Sequence, residues 1–179
     1  MALTATIYNF TIDLSDMDRG VFEALDLRVA RHPSETVEYM LVRVLAYCLE
    51  FQEGLELTEG VSSGDEPALV VRDLTGRVTA WIEVGMPDAA RLHRGMKLAG
   101  RAAVYTHRDT RQLLGNLAGA KIHRADQIPI RAFDRGAIES LAAQLERRTS
   151  LAISVSDADL FVSLGQQTFT LAMTEHRVA

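Results

Sequence analysis

Cysteine is the scarcest informative residue in this chain of 179, and its near absence excludes a good deal. The single thiol, Cys48, cannot form an internal disulfide framework, so the expected setting is reducing and cytoplasmic. No stretch approaches the roughly 18 unbroken apolar residues of a membrane span. The opening ten residues have neither a basic start nor a small-residue cleavage site, a pattern that predicts no secretory signal. Aromatic residues make up 6% and do not interleave with basic ones, which argues against a stacking platform for single strands. His32, His93, His107, His123 and His176 show no paired spacing of the kind zinc requires, and there is no G-x-S-x-G, Gly-rich phosphate loop or C-x-x-C.

What is present is a globular composition, 47% apolar and 24% charged, long enough to close one core without a metal or disulfide. The net charge of −5 is unevenly spread. Residues 1–86 carry six Lys/Arg against fifteen Asp/Glu, whereas residues 87–124 carry eight against two. That basic middle segment either attracts a polyanion or complements the acidic remainder of its own chain.

Alternation places Tyr8, Phe10, Ile12 and Leu14 on one face of a first strand, and Leu25, Leu27 and Val29 on one face of a second. Ser34 is positioned to cap a helix of about 17 residues, with Glu35 in its first turn and Val37, Met40, Leu41, Val44, Cys48 and Phe51 on one face. A Gly/Ser-rich connection over Gly60–Gly64 leads to a strand near Pro67–Arg72, and Asp73–Gly76 turns into a strand over Val78–Val84. Asp88, Asp109 and Asp134 are predicted N-caps of three further helices, with a strand over Ala102–Thr106 and weaker strand signals at Ile122 and Ile128–Ile130. Alternation at Leu151–Val155, Leu160–Leu164 and Phe169–Met173 predicts a closing three-strand meander. The whole is read as one α/β (α+β) domain. A mixed central sheet flanked by helices occupies about 34–145, and an additional antiparallel sheet forms from strands in 1–30 and 149–174.

Glu83 is the one ionisable group in the apolar run Val78–Val84, and a buried carboxylate needs a proton, a basic partner or a metal. In a strand Thr79, Trp81, Glu83 and Gly85 share a face. A PD-(D/E)xK nuclease places an acid and a lysine two residues apart at such a strand end, so that a carboxylate holds Mg²⁺ or Mn²⁺ while the ammonium faces the phosphate or water. It also uses an Asp just after a proline on the preceding strand. Here Ala68 follows Pro67, and Gly85 occupies the lysine position. Glu38, Asp65 and Glu83 are therefore candidate metal ligands, and Glu83 with Lys97 a candidate catalytic pair. Glu38 serves equally as dipole stabilisation in a first helical turn, and Asp65 with Glu66 as a solvated loop. At helical spacing Arg91, Arg94, Lys97 and Arg101 form a basic stripe that either meets nucleic-acid phosphate or is simply the solvated side of its helix, and Arg94 or Lys97 is expected to lean towards Glu83.

The segments Ala30–Thr36, Asp65–Ala68, Trp81–Gly85 with Pro87-Asp88, Val104–Thr106 and the opening Met1–Tyr8 together resemble the bacterial YaeQ family across the whole chain. The resemblance implies a variant of the PD-(D/E)xK nuclease fold with extra strands. It does not carry an activity. With the usual Asp and Lys missing, the expectation is a non-catalytic module that binds nucleic acid or a protein partner. The alternative is a Mg²⁺- or Mn²⁺-dependent phosphodiesterase using relocated acids.

Overall fold

A computed structural model describes residues 4–59 and 64–178, which divide into two compact units. The first is the chain up to Leu41 together with Phe133–Met173; the second is Val42–Ala132 together with the chain from Thr174. The division falls inside the first helix and places the last helix in the strand-rich unit. Among the described residues no helix is long and apolar enough to cross a membrane.

In the first unit, β1 (Thr6–Asp16) and β2 (Val21–Arg31) form a long antiparallel hairpin, joined by β8 (Arg148–Ser156), β9 (Asp159–Leu164) and β10 (Gln167–Leu171) in the order β10-β9-β8-β1-β2. One face is apolar: Phe10, Ile12, Leu14, Val29, Ile153 and Val162 are all buried, as alternation predicts. The terminal strands do build a sheet of their own, but it is mixed rather than antiparallel. β1 runs parallel to β8, with Asn9 opposite Arg148 and Asp16 opposite Val155. The reason is connectivity: everything between Asp16 and Arg148 except β2 lies outside this sheet, and so long a crossover permits a parallel neighbour where a hairpin would not. The short helix α4 (Arg135–Ala142) also belongs to this unit, capped by Asp134, whose carboxylate accepts from Ala137 N at 2.9 Å. It stops before the expected Leu145 because Gln144 and Leu145 donate to Leu141 and Ala142, three residues back instead of four.

The second unit holds a six-stranded sheet, β11 (Met173–Arg177), β7 (Pro129–Phe133), β6 (Ala102–Thr106), β5 (Val78–Val84), β4 (Leu69–Arg72) and β3 (Leu55–Leu57), in that spatial order. β5, β6 and β7 are parallel, linked through α2 (Ala89–Ala99) and α3 (Thr110–Leu117); β3, β4 and β5 are antiparallel. β3 and β11 were not legible as strands: the first is three residues long, and the second begins at Met173, which alternation assigns to the meander.

Both helices cover one face of the parallel strands. Leu92 and Met96 of α2 and Leu113 and Leu117 of α3 join Trp81, Val104 and Ile130 in a single core cluster. Asp88 caps α2 by accepting from Arg91 N at 2.8 Å, and Gly100 closes it in the left-handed conformation. Asp109 caps α3 in the same way. The helix α1 (Val37–Leu49) is shorter than expected, and Thr36 caps it instead of Ser34: Thr36 Oγ1 accepts from Tyr39 N at 3.0 Å, while Ser34 is engaged with His32 Nδ1 at 2.6 Å. Every residue from Met40 to Ala46 is buried, so α1 is enclosed all round and not a one-sided amphipathic helix. Gly60–Ser63 of the expected Gly/Ser-rich connection lie outside the described residues.

The β8–β9 hairpin turns on two non-glycine residues in the left-handed region, Asp157 (φ 50°) and Ala158 (φ 64°), whose amides both donate to the Asp18 carboxylate at 2.9 Å. An L-residue there carries a steric cost that glycine avoids. Ala158→Gly is expected to raise stability by about 1 kcal/mol. A thermal melt in which the variant unfolds at or below the wild-type temperature would contradict this turn geometry.

Candidate functional site

The site begins with strand alternation. Trp81 and Glu83 point to the same side of β5, towards α2, and the indole Nε1 donates to Glu83 Oε1 at 2.8 Å. The same oxygen accepts from Arg91 Nε at 3.0 Å. The cation that answers the buried carboxylate is therefore Arg91, from the first turn of α2, and not Lys97 or Arg94. Three residues further along the helix, the Arg94 guanidinium lies over the Trp81 ring, 5.4 Å from its centroid. Gly95 completes the packing: a Cβ there would stand 2.3 Å from the Trp81 ring, so only a bare backbone lets the helix lie against the indole.

Arg91 does more than neutralise Glu83. Its Nη1 donates to Gly64 O at 2.7 Å and its Nη2 to Glu66 O at 2.6 Å, while Arg94 Nη2 donates to Asp65 O at 2.9 Å. Two arginines thus fasten the segment 64–66 to α2 through its backbone carbonyls, using the fixed fork of the guanidinium. The carboxylate of Asp65 takes little part. It is almost fully exposed and meets Arg94 only at 3.5 Å, a solvent-screened pair. Burial raises the Glu83 carboxyl above its ordinary range; Arg91 and the Trp81 hydrogen bond pull it down by less.

The three acids expected to share a metal do not assemble into one group. Among the described residues no three His, Cys, Asp or Glu side chains are placed to hold a metal ion. Glu38 sits in the first turn of α1, half-buried; Asp65 projects into solvent; Glu83 is closed in by Trp81 and Arg91. The position two residues after Glu83 is also closed to the usual lysine. Gly85 has φ 90°, a conformation L side chains rarely adopt, and its amide is tied to Tyr105 O at 2.9 Å.

The basic stripe is largely consumed by the protein itself. Arg91 pairs with Glu83, Arg94 with Asp65 and Trp81, and Arg101 with Glu50 at 2.6 Å. Lys97 alone of the four is exposed without an ion pair among the described residues. Elsewhere in the basic segment, Arg108, Arg111, Lys121 and Arg124 are likewise exposed and unpaired among the described residues.

A second polar cluster in this unit was missed. Glu50, just past the end of α1 and buried, accepts from Arg101 Nη2 and from Tyr105 Oη, each at 2.6 Å; Arg131 Nη1 donates to Tyr105 Oη at 2.6 Å, and Arg131 Nε to Glu175 at 3.2 Å. Burial and the Glu50 charge raise the Tyr105 phenol, which stays protonated and donates. One signal for it stood in the sequence: a carboxylate at a helix C-terminus opposes the helix dipole and calls for a cation. Which cation answers is settled by β6 and β7 lying side by side. Arg43 was missed too. It is fully buried in α1, with Nη2 donating to Thr58 O at 2.9 Å.

A mixed α/β protein with an arginine-locked carboxylate beside a parallel strand is thus the class that the geometry defines. The family model described as "YaeQ protein" matches residues 1–173, and the chain belongs to that family. It is 30% identical over 175 residues to the uncharacterized protein YaeQ of Salmonella typhi, covering 97% of both chains. It is 31% identical over 164 residues to the protein of the same name from Escherichia coli K12, covering 91% of both. Among solved structures, YaeQ from Pseudomonas syringae superposes with a TM-score of 0.87 at 34% identity, covering 96% of this chain and 95% of that one. YaeQ from Xanthomonas axonopodis pv. citri gives 0.89 at 31%, covering 98% and 100%.

Two outcomes test this geometry. Because Glu83 is raised in the folded state, it favours folding most below its ordinary value of 4.5 and loses that contribution as pH rises through the folded value. Denaturant titrations across this range should show wild type losing stability relative to Glu83→Gln as pH increases; the opposite slope would mean that Arg91 outweighs burial. Gly95→Ala should cost about 1–3 kcal/mol by overpacking against the indole. Trp81 is the only tryptophan, so its emission reports the displacement directly, and an unchanged spectrum with unchanged stability would contradict the contact.

Proposed function

We propose that this chain is a nuclease-like module that binds nucleic acid through its phosphates without cleaving them. The carrying observation is the state of Glu83. Among the described residues its carboxylate accepts from Trp81 and from Arg91, so a guanidinium supplies the positive charge that a metal ion would supply in a metal-dependent enzyme. The order β4, turn, β5, α2, β6 supports descent from a PD-(D/E)xK core, with Ala68 and Gly85 in place of the acid and the lysine.

The binding surface in this reading is the outer side of α2 and α3. Lys97 and Arg111 project from helices whose inner residues share one core, so their exposed sides lie on the same side of the sheet. Arg108, Lys121 and Arg124 extend the unpaired charge into the flanking loops. Cations without internal partners are the ones free to displace counterions from a phosphate backbone, and that makes binding salt-dependent and metal-independent. A Mg²⁺- or Mn²⁺-dependent phosphodiesterase would instead require Arg91 to leave Glu83.

Fluorescence anisotropy with a labelled duplex of roughly 20 base pairs should show affinity that falls steeply with salt and is unchanged by EDTA. Lys97→Glu combined with Arg111→Glu should weaken binding at least tenfold and flatten the salt slope by about two. Failure to bind at low salt, or equal binding by the double variant, would reject this surface. Cleavage in Mn²⁺ that Glu83→Gln abolishes would replace the reading with the enzymatic one.

A further inference from the structure

β2 ends its sheet, and across its eleven residues it pairs only with β1 among the described residues. A long strand with a free edge is a template for another strand, and proteins commonly guard such an edge with charged side chains, lysine above all. This edge carries both signs: Glu23 and Asp26 towards its start, Arg28 and Arg31 towards its end. We propose that β2 is a self-recognition edge, joining two copies of this chain antiparallel about Leu27 into one continuous ten-stranded sheet.

The register follows from two requirements. Leu25, Leu27 and Val29 face the core of the first unit, so a continuous sheet must set core-facing residues opposite core-facing residues. Of the registers that do so, centring the two-fold on Leu27 is the one that opposes every charge with its opposite. Asp26 then faces Arg28 of the second copy, Glu23 faces its Arg31, Leu25 faces its Val29, and the two Leu27 side chains meet at the axis. Centring on Asp26 or Arg28 sets like charges against each other, and centring on Leu25 or Val29 leaves the charges opposite apolar residues or beyond the end of the strand. Because the contact is two-fold symmetric, each ion pair occurs twice.

The side chains are free to take these roles. Arg28 is exposed, with no ion pair or hydrogen bond among the described residues, and Asp26 is held only by the exposed hydroxyl of Thr11 at 3.3 Å. Arg31 is partly engaged, donating to Glu35 O at 2.7 Å, which leaves Asp26 and Arg28 as the specifying pair. Main-chain hydrogen bonds along the edge supply the attraction, and the charges choose the partner and the register.

Sedimentation equilibrium of the full chain up to about 200 µM should show a monomer–dimer equilibrium. Asp26→Arg and Arg28→Asp each put like charges opposite one another and should each weaken the dimer at least tenfold. Both sites are on the exposed face of the sheet, so matching circular dichroism melts will show that the fold is retained. Mixing the two single variants restores complementarity and should give a heterodimer at wild-type affinity, as should the exchanged double variant on its own. A wild-type monomer at the highest concentration, dimers that survive both single changes, or variants that stay monomeric when mixed would each overturn the proposal.

Discussion

One guanidinium organises the second unit. Arg91 uses three of its donors in three directions, on the buried carboxylate of Glu83 and on the backbone carbonyls of Gly64 and Glu66. An unpaired carboxylate in that strand would cost several kcal/mol, so the strand, the helix and the preceding loop are constrained together. Arg94 and Gly95 continue the arrangement along the helix, one covering the indole from outside and the other letting the backbone approach it. The planar fork of Arg91 holds its donors in a fixed spread that matches these three acceptors, and its place in the first turn of α2 brings it to Glu83, whereas Lys97 lies in the last turn.

The same physics bears on function by subtraction. Every cation spent on an internal carboxylate is lost to an external phosphate, and the Glu50 cluster takes Arg101 and Arg131 in addition to the Arg91 taken by Glu83. Within the basic segment 87–124, what remains without an ion pair among the described residues is Lys97 with the residues around α3, a set defined by the absence of internal acids and not by a motif. A tenfold effect on binding corresponds to about 1.4 kcal/mol, well within what two phosphate contacts supply.

The first unit rests on a different constraint. Its sheet is assembled from strands at both ends of the chain, so β1 can lie parallel to β8 while β2 is left at the edge. Burial of one face sets the register of each strand within the unit, and the mixed charges on β2 supply the only further register information along that edge. The proposed nucleic-acid binding and the proposed self-association therefore draw on separate surfaces and separate interactions.

Periodicity and capping are local, and the corresponding elements were legible: β5 and β6 have the ends alternation predicts, and Asp88, Asp109 and Asp134 cap the helices they were expected to cap. So was the need of Glu83 for a partner, because a lone charge in an apolar strand is anomalous whatever surrounds it. Which partner it took was not, since Arg91, Arg94 and Lys97 are equivalent by composition and differ only in the angle at which α2 lies on the sheet. Thr36 and not Ser34 caps α1, and the Ser34 hydroxyl is hydrogen-bonded to His32 instead. The Glu50, Tyr105 and Arg131 cluster joins residues far apart in the chain that meet only when α1, β6 and β7 pack. Sequence alone determined where strands and helices form and which charge must be answered, because those depend on near neighbours. Only the tertiary structure chose the answering group, because desolvation and hydrogen-bond geometry act across space.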